Sequence, residues 1–322
     1  MLIFITGATG FIGSHLAERL ASKGHKLRCL ARETSETEGL SKLNAEIVMT
    51  DMNDPAGLKK ALEGVDIVYH CAAMVGEWLS KEEAGKINIS GTKNLLDASM
   101  AAGVKRFVHV SSLAVLGMRH HYSTPPEAPY TMTGDIYSDT KIESEKIVMD
   151  YHRRKGLPIV IVRPGFVFGL RDRRFLPRML KLLDDNKFAF LGSGNNIMNL
   201  VYIDNLIDVL IEAGINEKAI GQKYNVTNKD KVTMRDFVYM ISDIRGIKRP
   251  NKSIPTPLAR LIADSLEFYG RLTKSQTPPF LTKARIKVAS LNLDFDISKT
   301  MRDLGYDSKI TIREGLEKTL NS

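Results

Sequence analysis

The chain opens on Ile3-Phe4-Ile5-Thr6-Gly7-Ala8-Thr9-Gly10-Phe11-Ile12-Gly13, in which an apolar run leads directly into three regularly spaced glycines. The apolar run predicts a strand, and the pattern from Phe11 to Ser22 predicts a helix. In such a unit Gly7 permits a tight turn, Gly10 lets the backbone approach a pyrophosphate, and Gly13 lets the helix pack closely on the sheet. The helix N-terminus supplies free N–H groups and a partial positive charge for that anion. The stretch therefore predicts an α/β fold that binds a dinucleotide.

The first half of the chain continues this alternation of strands and helices. The predicted strands are Leu2 to Ile5, Lys26 to Leu30, Glu46 to Met49, Val65 to His70, Phe107 to Val110 and Ile159 to Val162. The predicted helices are Phe11 to Ser22, one that begins at Asp54-Pro55, Asn88 to Ala102, and Tyr137 to Lys155. Strands that alternate with helices form βαβ units, and right-handed crossovers make the sheet doubly wound. We therefore expect a doubly wound parallel sheet of the Rossmann type.

The second half of the chain does not continue the regular alternation of strands and helices. A strand is predicted at Leu200 to Ile203, a helix follows from Asp204, and the last hundred residues are rich in helical patterns. We expect the dinucleotide-binding domain to span residues 1–165 and to return at about 195–225. Residues 166–322 then form mainly a smaller, helix-rich substrate lobe. Three interpretations of its apolar segment Pro255 to Leu272 stay open: the wall of a hydrophobic pocket, a contact with a membrane surface, or a plain core helix.

The composition is that of a globular protein. Of 322 residues, 43% are hydrophobic and 26% are charged, which excludes a disordered or fibrous chain.

Cys29 and Cys71 provide neither a disulfide framework nor a CxxC site, so we expect no metal and a cytoplasmic location. We expect no signal peptide, because the apolar N-terminus has no basic lead-in and runs directly into glycines. We expect no transmembrane segment, because no apolar run reaches about 18 residues. The net charge is +9, but the basic residues look scattered apart from clusters at 153–155 and 171–174, so we expect no nucleic acid partner.

A second motif indicates proton-transfer chemistry. Tyr137-Ser138-Asp139-Thr140-Lys141 has the spacing YxxxK, which places Tyr137 and Lys141 on one face of a helix. An ammonium group one turn from a phenol favours the phenolate, so Tyr137 can act as an acid or base near neutral pH. Upstream, a predicted strand ends at Ser111-Ser112, and ligands of open α/β sheets bind at such strand ends. A serine hydroxyl there can hold a substrate oxygen while Tyr137 transfers the proton.

These motifs together resemble the extended branch of the short-chain dehydrogenase/reductase superfamily, also called the NAD-dependent epimerase/dehydratase family, over nearly the whole chain. Further matches are the GxxGxxG spacing of the glycine loop, the acidic-apolar pair Asp51-Met52, Cys71-Ala72-Ala73 in place of Asn-Ala-Ala, the NxxGT motif at Asn88 to Thr92, the RPxxxxG segment at Arg163 to Gly169, and the strand-to-helix junction at Val201 to Asn205. The cysteine at position 71 departs from the family pattern. The resemblance also implies a homodimer formed through the helices near 88–102 and 137–155.

The resemblance implies a Ser-Tyr-Lys triad, in which Tyr137 transfers the proton and Lys141 lowers the pKa of the phenol and positions the ribose. The family's serine lies three residues before the valine of a Val-Tyr pair. Val115-Leu116 occupies that place, so Ser112 is the expected catalytic serine and Ser111 is structural. The expected cofactor-binding residues are Gly7, Thr9, Gly10, Phe11, Ile12, Gly13, Arg32, Asp51, Met52, Cys71, Ala72, Ala73, Asn88, Tyr137, Lys141, Pro164 and Val167.

The end of the second predicted strand bears on the choice of cofactor. An NAD enzyme usually places an acidic residue there, bonded to the adenosine ribose. Ala31 occupies that place, and the guanidinium of the following Arg32 suits a 2′-phosphate. These residues favour NADP(H). NAD stays an alternative, because Glu33 lies about twenty residues beyond Gly13, where the acidic residue is also found.

Two aromatic residues bear on the substrate. Phe166 and Phe168 stand where nucleotide-sugar epimerases and dehydratases of the family often have asparagine and tyrosine, and a buried diphosphate without polar partners would be unfavourable. The stretch from Arg32 to Ala73 and the C-terminal Phe295 to Tyr306 resemble instead the 3β-hydroxysteroid dehydrogenase and dihydroflavonol reductase-like branch.

The sequence therefore predicts an NADP(H)-preferring oxidoreductase that interconverts a secondary alcohol and a ketone on an apolar small molecule of steroid-, flavonoid- or terpenoid-like character. Two alternatives stay open. One is a nucleotide-sugar epimerase or dehydratase that keeps NAD(P) tightly bound. The other is a catalytically inactive, redox-sensing partner protein, although such relatives usually lack the tyrosine or lysine that this chain retains at Tyr137 and Lys141.

Overall fold

The computed structural model describes residues 1–76, 78–273 and 282–321. The strands are β1 (Leu2–Thr6), β2 (Lys26–Ala31), β3 (Glu46–Met49), β4 (Ile67–His70), β5 (Arg106–Val110), β6 (His121–Thr124), β7 (Ile159–Pro164), β8 (Phe166–Phe168), β9 (Phe190–Leu191), β10 (Ile197–Met198), β11 (Leu200–Tyr202), β12 (Lys223–Val226), β13 (Val232–Thr233), β14 (Ser253–Ile254) and β15 (Leu293–Phe295). The helices are α1 (Phe11–Ser22), α2 (Glu38–Ser41), α3 (Pro55–Ala61), α4 (Lys81–Gly85), α5 (Thr92–Ala101), α6 (Ile136–Lys155), α7 (Phe175–Asp184), α8 (Ile203–Ile215), α9 (Met234–Ile244), α10 (Thr256–Leu272), α11 (Lys283–Ser290), α12 (Ser298–Leu304) and α13 (Ile312–Leu320).

The main sheet of the described chain is parallel and has the strand order β3-β2-β1-β4-β5-β7-β12, which confirms the predicted doubly wound α/β fold. The chain builds β1, β2 and β3 toward one edge and then crosses back to place β4 on the other side of β1. Ligands of open α/β sheets bind at the carboxyl ends of the strands beside such a reversal. The loops that follow β1 and β4 border this crevice, and they carry the glycines and Cys71.

The main sheet has a hydrophobic core on each face, because successive side chains of a strand point to opposite sides. On β1, Ile3 and Ile5 belong to the core formed with α1 and α8, whereas Phe4 belongs to the core formed with α3 and α5. The central strands β4 and β5 are buried along their whole length. A parallel sheet that is covered by helices on both faces buries its central strands in this way.

The helix α6 has clear signals at both ends. At its start the Oδ1 atom of Asp135 accepts a hydrogen bond of 2.8 Å from the backbone N–H of Ser138, which caps the helix. At its end Gly156 adopts the left-handed conformation with φ 73°. These signals fix the helix that carries the YxxxK motif.

The helix expected to begin at Asn88 begins earlier. α4, the π-helical turns Lys86–Gly91 and α5 follow one another without a break from Lys81 to Ala101. Widened turns of this kind occur frequently at functional sites. Here the widened turn carries Asn88 inside the helix.

Late segments complete the sheet and build the C-terminal part. Strand β12 pairs in parallel with β7, with Lys223 opposite Ile161, so the chain returns to the main sheet after residue 195. Short two-stranded pairs join β8 with β11, β9 with β14, β10 with β13, and β6 with β15. No described helix combines the length and the apolar character needed to cross a membrane.

Candidate active site

The glycine loop after β1 allows a close approach of backbone segments. Gly7 has φ 70°, and a Cβ atom there would lie 2.7 Å from the backbone nitrogen of Ala72. A Cβ atom at Gly13 would lie 2.2 Å from the carbonyl oxygen of Gly7, so both positions exclude a side chain. Helix α1 begins directly after Gly10 without a side-chain cap and without an acidic residue in its first turn. Its free N–H groups therefore fit the pyrophosphate of a dinucleotide.

A chain of buried polar groups runs beneath the crevice from β1 to α6. Oγ1 of Thr6 lies 2.7 Å from Nδ1 of His70, and Nε2 of His70 lies 2.9 Å from Oγ1 of Thr92. Oγ of Ser144 lies 3.5 Å from Oγ1 of Thr92 and 3.2 Å from Nε2 of His109. Burial lowers the pKa of His70 to about 3, so its imidazole stays neutral at physiological pH. This series of hydrogen-bonded side chains therefore connects the loops of the crevice without adding charge to them.

Asn88 connects the loop after β4 to helix α6. Its Oδ1 accepts a hydrogen bond of 2.7 Å from the N–H of Met74, and its Nδ2 donates to the carbonyl oxygen of Met74 at 3.1 Å. The same Nδ2 donates to the hydroxyl of Thr140 at 3.0 Å, and the Asn88 residue is only 2% exposed. We propose that Asn88 positions this loop against α6, which differs from the direct cofactor contact expected from its motif.

Tyr137 and Ser112 come together beyond the carboxyl end of β5. Ser112 begins the 3₁₀ turn Leu113–Leu116, and its Oγ accepts a hydrogen bond of 3.2 Å from the N–H of Ala114. Burial raises the pKa of Tyr137, and a hydrogen bond with the Ser112 hydroxyl partly opposes this rise. Ser111 is 3% exposed, and its Oγ has no hydrogen-bond partner within the described residues. Of the two serines, Ser112 is therefore the one beside the phenol.

Lys141 lies one turn beyond Tyr137 on α6 and is 3% exposed. Its Nζ donates a hydrogen bond of 2.8 Å to the carbonyl oxygen of Val110 at the end of β5. Burial lowers the pKa of Lys141 to about 8, and the carboxylate of Glu145 opposes this shift. Burial gives the pKa of Tyr137 a net upward shift in this structure. The lowering of that pKa by Lys141 stays a prediction.

A fully buried ion pair lies behind Lys141. Nη2 of Arg163 lies 2.6 Å from Oε2 of Glu145, and both side chains are 0% exposed. Nη1 of Arg163 also donates to the carbonyl oxygen of Pro126 at 2.7 Å, and the hydroxyl of Tyr130 donates to Glu145 at 3.0 Å. Glu145 follows Lys141 by one helical turn. The ion pair of Arg163, the arginine of the RPxxxxG segment, therefore links β7 to α6.

Arg174, the residue before α7, has a small electrostatic influence on Tyr137. Arg174 donates a hydrogen bond to the carbonyl oxygen of Val75 in the loop after β4. Burial raises the pKa of Tyr137, and the positive charge of Arg174 is among the influences that lower it, because a cation favours the phenolate. Sequence reasoning placed Arg174 only within a basic cluster, although its position shortly after the RPxxxxG segment was an available signal.

The expected adenosine end of the crevice lies beyond β2 and β3. Arg32 is exposed, and its backbone N–H donates to Oγ of Ser35 at 3.1 Å, which closes the turn after β2. Hydrogen bonds from Asn53 lower the pKa of Asp51, and the charge of Arg32 adds to this effect. Met52 is 6% exposed and belongs to the core beneath the sheet, so its side chain serves packing. The contact of Met52 with the cofactor stays a prediction.

Aromatic rings line the segment after β7. Phe166 stacks on Phe175 with ring centroids 5.2 Å apart, and Phe175 stacks on Phe237 at 5.8 Å. Phe168 is 0% exposed and meets Phe237 edge-on at 5.9 Å. These four residues form a continuous apolar wall, which we call the aromatic wall. Its position matches the segment where a polar residue would be expected for a nucleotide sugar.

The expected site residues lie at the carboxyl ends of neighbouring strands of the main sheet. The glycine loop with the partly exposed Thr9, Phe11 and Ile12 follows β1, Arg32 follows β2, Asp51 follows β3, and Cys71 to Ala73 follow β4. Pro164 is buried at the end of β7, and Val167 is partly exposed within β8. Burial raises the pKa of the Cys71 thiol to about 12, which argues against a thiolate nucleophile.

Sequence reasoning missed several polar residues of the site. They are Thr6, His70, Thr92, His109, Ser144, Glu145 and Arg174. For Glu145 the signal was available, because it continues the i, i+4 series of Tyr137 and Lys141 on one helix face. The two histidines gave no such signal, because a buried histidine at a strand end looks like any core residue.

Comparisons with known proteins agree with this geometry. The model of the NAD-dependent epimerase/dehydratase family matches residues 3–227. The chain is 28% identical over 346 residues to 3beta-hydroxysteroid-dehydrogenase/decarboxylase isoform 2 of Arabidopsis thaliana. This alignment covers 99% of this chain and 61% of that protein. The chain is also 28% identical over 328 residues to 2-alkyl-3-oxoalkanoate reductase of Shewanella oneidensis. This alignment covers 98% of this chain and 84% of that protein.

A solved structure shows the same architecture. UDP-glucuronic acid 4-epimerase from Bacillus cereus, in complex with NAD, matches with a TM-score of 0.79 and 25% sequence identity. The match covers 100% of this chain and 98% of the epimerase chain. The fold is therefore shared by proteins whose names describe different reactions.

Proposed function

Because the chain belongs to the NAD-dependent epimerase/dehydratase family, we propose that it is an NADP(H)-preferring oxidoreductase that interconverts a secondary alcohol and a ketone on an apolar, steroid-, flavonoid- or terpenoid-like molecule. The observation that supports this proposal most directly is the aromatic wall, in which Phe166 and Phe175 are partly exposed while the fully buried Phe168 and Phe237 pack behind them. Stacked rings suit a hydrocarbon framework, whereas a diphosphate placed against them would lose its hydration without compensation.

The names of the two curated relatives support the same reaction. One is named as a hydroxysteroid dehydrogenase/decarboxylase and the other as an oxoalkanoate reductase, so both names describe redox chemistry at an alcohol or a ketone. This chain spans 61% of the length of the Arabidopsis relative. We therefore take from that relative only the class of reaction.

The residues of the site have distinct roles in the proposed reaction. The nicotinamide supplies the hydride acceptor or donor when it is bound. Tyr137 takes or gives the proton at the substrate oxygen, and Ser112, whose hydroxyl lies beside the phenol, holds that oxygen. Lys141, with a pKa of about 8, is mainly protonated at neutral pH and offers its N–H groups to a ribose hydroxyl. The glycine loop and the start of α1 hold the pyrophosphate.

A cofactor fluorescence assay tests the proposal. The purified protein is mixed with NADP⁺ and a pool of apolar secondary alcohols that includes 3β-hydroxysteroids, and UDP- and dTDP-sugars are assayed in parallel with product analysis. We expect steady formation of NADPH with the alcohol pool alone. Conversion of a sugar nucleotide without net change of the cofactor, together with no reaction of the alcohols, would contradict the proposal. It would favour an epimerase or dehydratase, which the match to the Bacillus cereus epimerase keeps as the second candidate.

The preference for NADP(H) is tested at Arg32. Its exposed guanidinium lies at the end of β2, where a 2′-phosphate would make charge-assisted hydrogen bonds. We expect Arg32→Ala to lower kcat/KM for NADP⁺ by about 10- to 100-fold, because hydrogen bonds to charged groups contribute about 1.5–3 kcal/mol. The value for NAD⁺ should change less than about twofold and serves as the internal control. An equal loss for both cofactors would show that Arg32 does not read the 2′-phosphate.

The charge of Arg174 is tested by pH dependence. Arg174→Met removes a cation that favours the phenolate, so the pKa of Tyr137 should rise further. Alcohol oxidation needs the phenolate as the base, and the pH midpoint of kcat should therefore move to higher pH. The neighbouring Arg173→Met is the matched control, because Arg173 pairs with Glu36 at 3.6 Å and should leave the midpoint in place. A pH profile that is identical in Arg174→Met and the unmodified protein would refute this role.

A homodimer formed through α5 and α6 and a cytoplasmic location complete the proposal. Both helices pack against each other on one face of the sheet, where Oδ1 of Asp97 accepts a hydrogen bond of 2.5 Å from the hydroxyl of Tyr151. Sedimentation velocity of the purified protein measures its oligomeric state directly.

A further inference from the structure

Helix α10 (Thr256–Leu272) attaches to the C-terminal lobe through its smallest side chains. Ala259 and Ala263 are 0% exposed, and they pack with Ile286 in a small core of their own. With 3.6 residues per turn, these alanines lie on one narrow face of the helix. Arg260 and Asp264 each follow one of these alanines, so they form a charged face next to the buried one. The helix is therefore held mainly by alanines together with the partly buried Leu266, and not by its other large apolar residues.

The large apolar residues of α10 lie on the face turned away from the lobe. The exposed fractions are 50% for Leu258, 63% for Leu261, 37% for Ile262, 70% for Phe268, 66% for Tyr269 and 70% for Leu272. Of the three interpretations of this segment, the plain core helix is therefore wrong, because the helix buries its alanines and leaves most of its large apolar residues in solvent. A contiguous exposed apolar patch on a folded protein generally marks a contact site.

The chain around α10 also carries most of the net charge of the protein. Residues 244–293 contain ten Lys and Arg residues and two acidic residues, which gives +8 of the total of +9. The basic residues are therefore less evenly scattered than expected. Lys248 and Lys252 are exposed just before α10, and Arg260 is exposed on the helix itself. An apolar face is thus accompanied by a local excess of positive charge.

We propose that α10 docks this protein on an anionic membrane surface. The apolar face would enter the boundary between headgroups and acyl chains, and the neighbouring basic residues would face lipid phosphates. Interfacial helices combine these two features, and their binding grows with buried apolar surface and with anionic lipid content. A second copy of the chain is a poorer partner, because pairing through α10 would bring two strongly basic segments together. The proposal does not depend on the reaction proposed above.

Vesicle flotation tests the docking. The protein of 322 residues is mixed with vesicles of phosphatidylcholine and phosphatidylglycerol at about 7:3, or of phosphatidylcholine alone, at about 0.1 M NaCl. We expect about tenfold more bound protein on the anionic vesicles, and a clear decrease at about 0.5 M NaCl, because salt screens the attraction. Leu261→Asp combined with Phe268→Asp should lower binding about tenfold or more. The matched control is Ile215→Asp, at a residue that is 51% exposed on α8, and it should bind like the unmodified protein.

Two further measurements separate the possible outcomes. Lys248→Glu combined with Lys252→Glu should lower binding to anionic vesicles without touching the apolar face, which keeps the test valid if the aspartate variant does not fold. Failure of the unmodified protein to float with either vesicle, or equal flotation of the aspartate variant, would overturn the proposal. A lower oligomeric state of the aspartate variant in sedimentation velocity, with unchanged flotation, would assign the face to a second copy instead.

Discussion

Replacement of Tyr137 by phenylalanine will lower kcat for alcohol oxidation by about 10²- to 10⁴-fold, the range that a positioned acid or base contributes. The phenol is the titratable hydroxyl that Ser112 contacts at the end of β5, and removal of its oxygen leaves no group at that place to take the proton. The ring itself remains, so the packing around α6 should be kept. The measurement is kcat from steady-state formation of NADPH, with cofactor binding followed separately by fluorescence quenching.

The control for this variant is Tyr122→Phe, because Tyr122 is 73% exposed and lies on β6, which pairs with β15 outside the main sheet. That variant should keep kcat within about twofold. Cofactor affinity should stay within about threefold in Tyr137→Phe, because the glycine loop and α1 are unchanged. Normal turnover by Tyr137→Phe would refute the proposed proton transfer, whereas equal loss of cofactor binding and turnover would indicate a structural role for the ring.

Replacement of Arg163 by methionine will lower the free energy of unfolding by about 3–5 kcal/mol, because it leaves the buried carboxylate of Glu145 without its main partner. The carbonyl oxygen of Pro126 loses a hydrogen bond at the same time. Urea unfolding followed by circular dichroism measures the change. Lys93→Met, which removes an exposed pair with Asp97, is the matched control and should change stability by less than about 1 kcal/mol.

The double variant Arg163→Met, Glu145→Leu distinguishes an ion pair from simple loss of packing. If the unpaired charge causes the instability, the double variant should be more stable than Arg163→Met alone, because replacement of both partners by apolar groups removes the uncompensated charge. The coupling energy of the double-mutant cycle should therefore be large, on the order of 1–3 kcal/mol. Purely additive effects would show that the two side chains act independently.

Local sequence patterns predicted the first half of the fold well. The bounds of α1, Phe11–Ser22, are confirmed, because a glycine turn and a helix start are specified by residues that are neighbours in sequence. The parallel direction of the strands followed from the alternation of strands and helices. The approach of Ser112 to Tyr137 could be anticipated from a strand end and a helix start, which meet at the same edge of the sheet.

Contacts between distant elements could not be predicted in the same way. The pair of Arg163 and Glu145 joins a strand to a helix, and both residue types are usually exposed, so nothing in the sequence indicated complete burial. The helix α10 shows a second limit. Its hydrophobic period identified a helix but not the buried face, because the alanines that face the lobe give a weaker apolar signal than the exposed leucines.

The place of β12 in the main sheet also has a consequence for synthesis on the ribosome. β7 ends at Pro164, and the strand that covers its free edge, β12, begins only at Lys223, about 60 residues later. The ribosome adds about 5–20 residues per second, so β12 emerges several seconds after β7. During this time one edge of β7, a strand that is buried in the folded protein, has no partner strand. Unpaired strand edges are sites of aggregation. The interval between the two strands is therefore the stage at which a chaperone is most useful to this protein, and a chain truncated before residue 223 should accumulate in inclusion bodies.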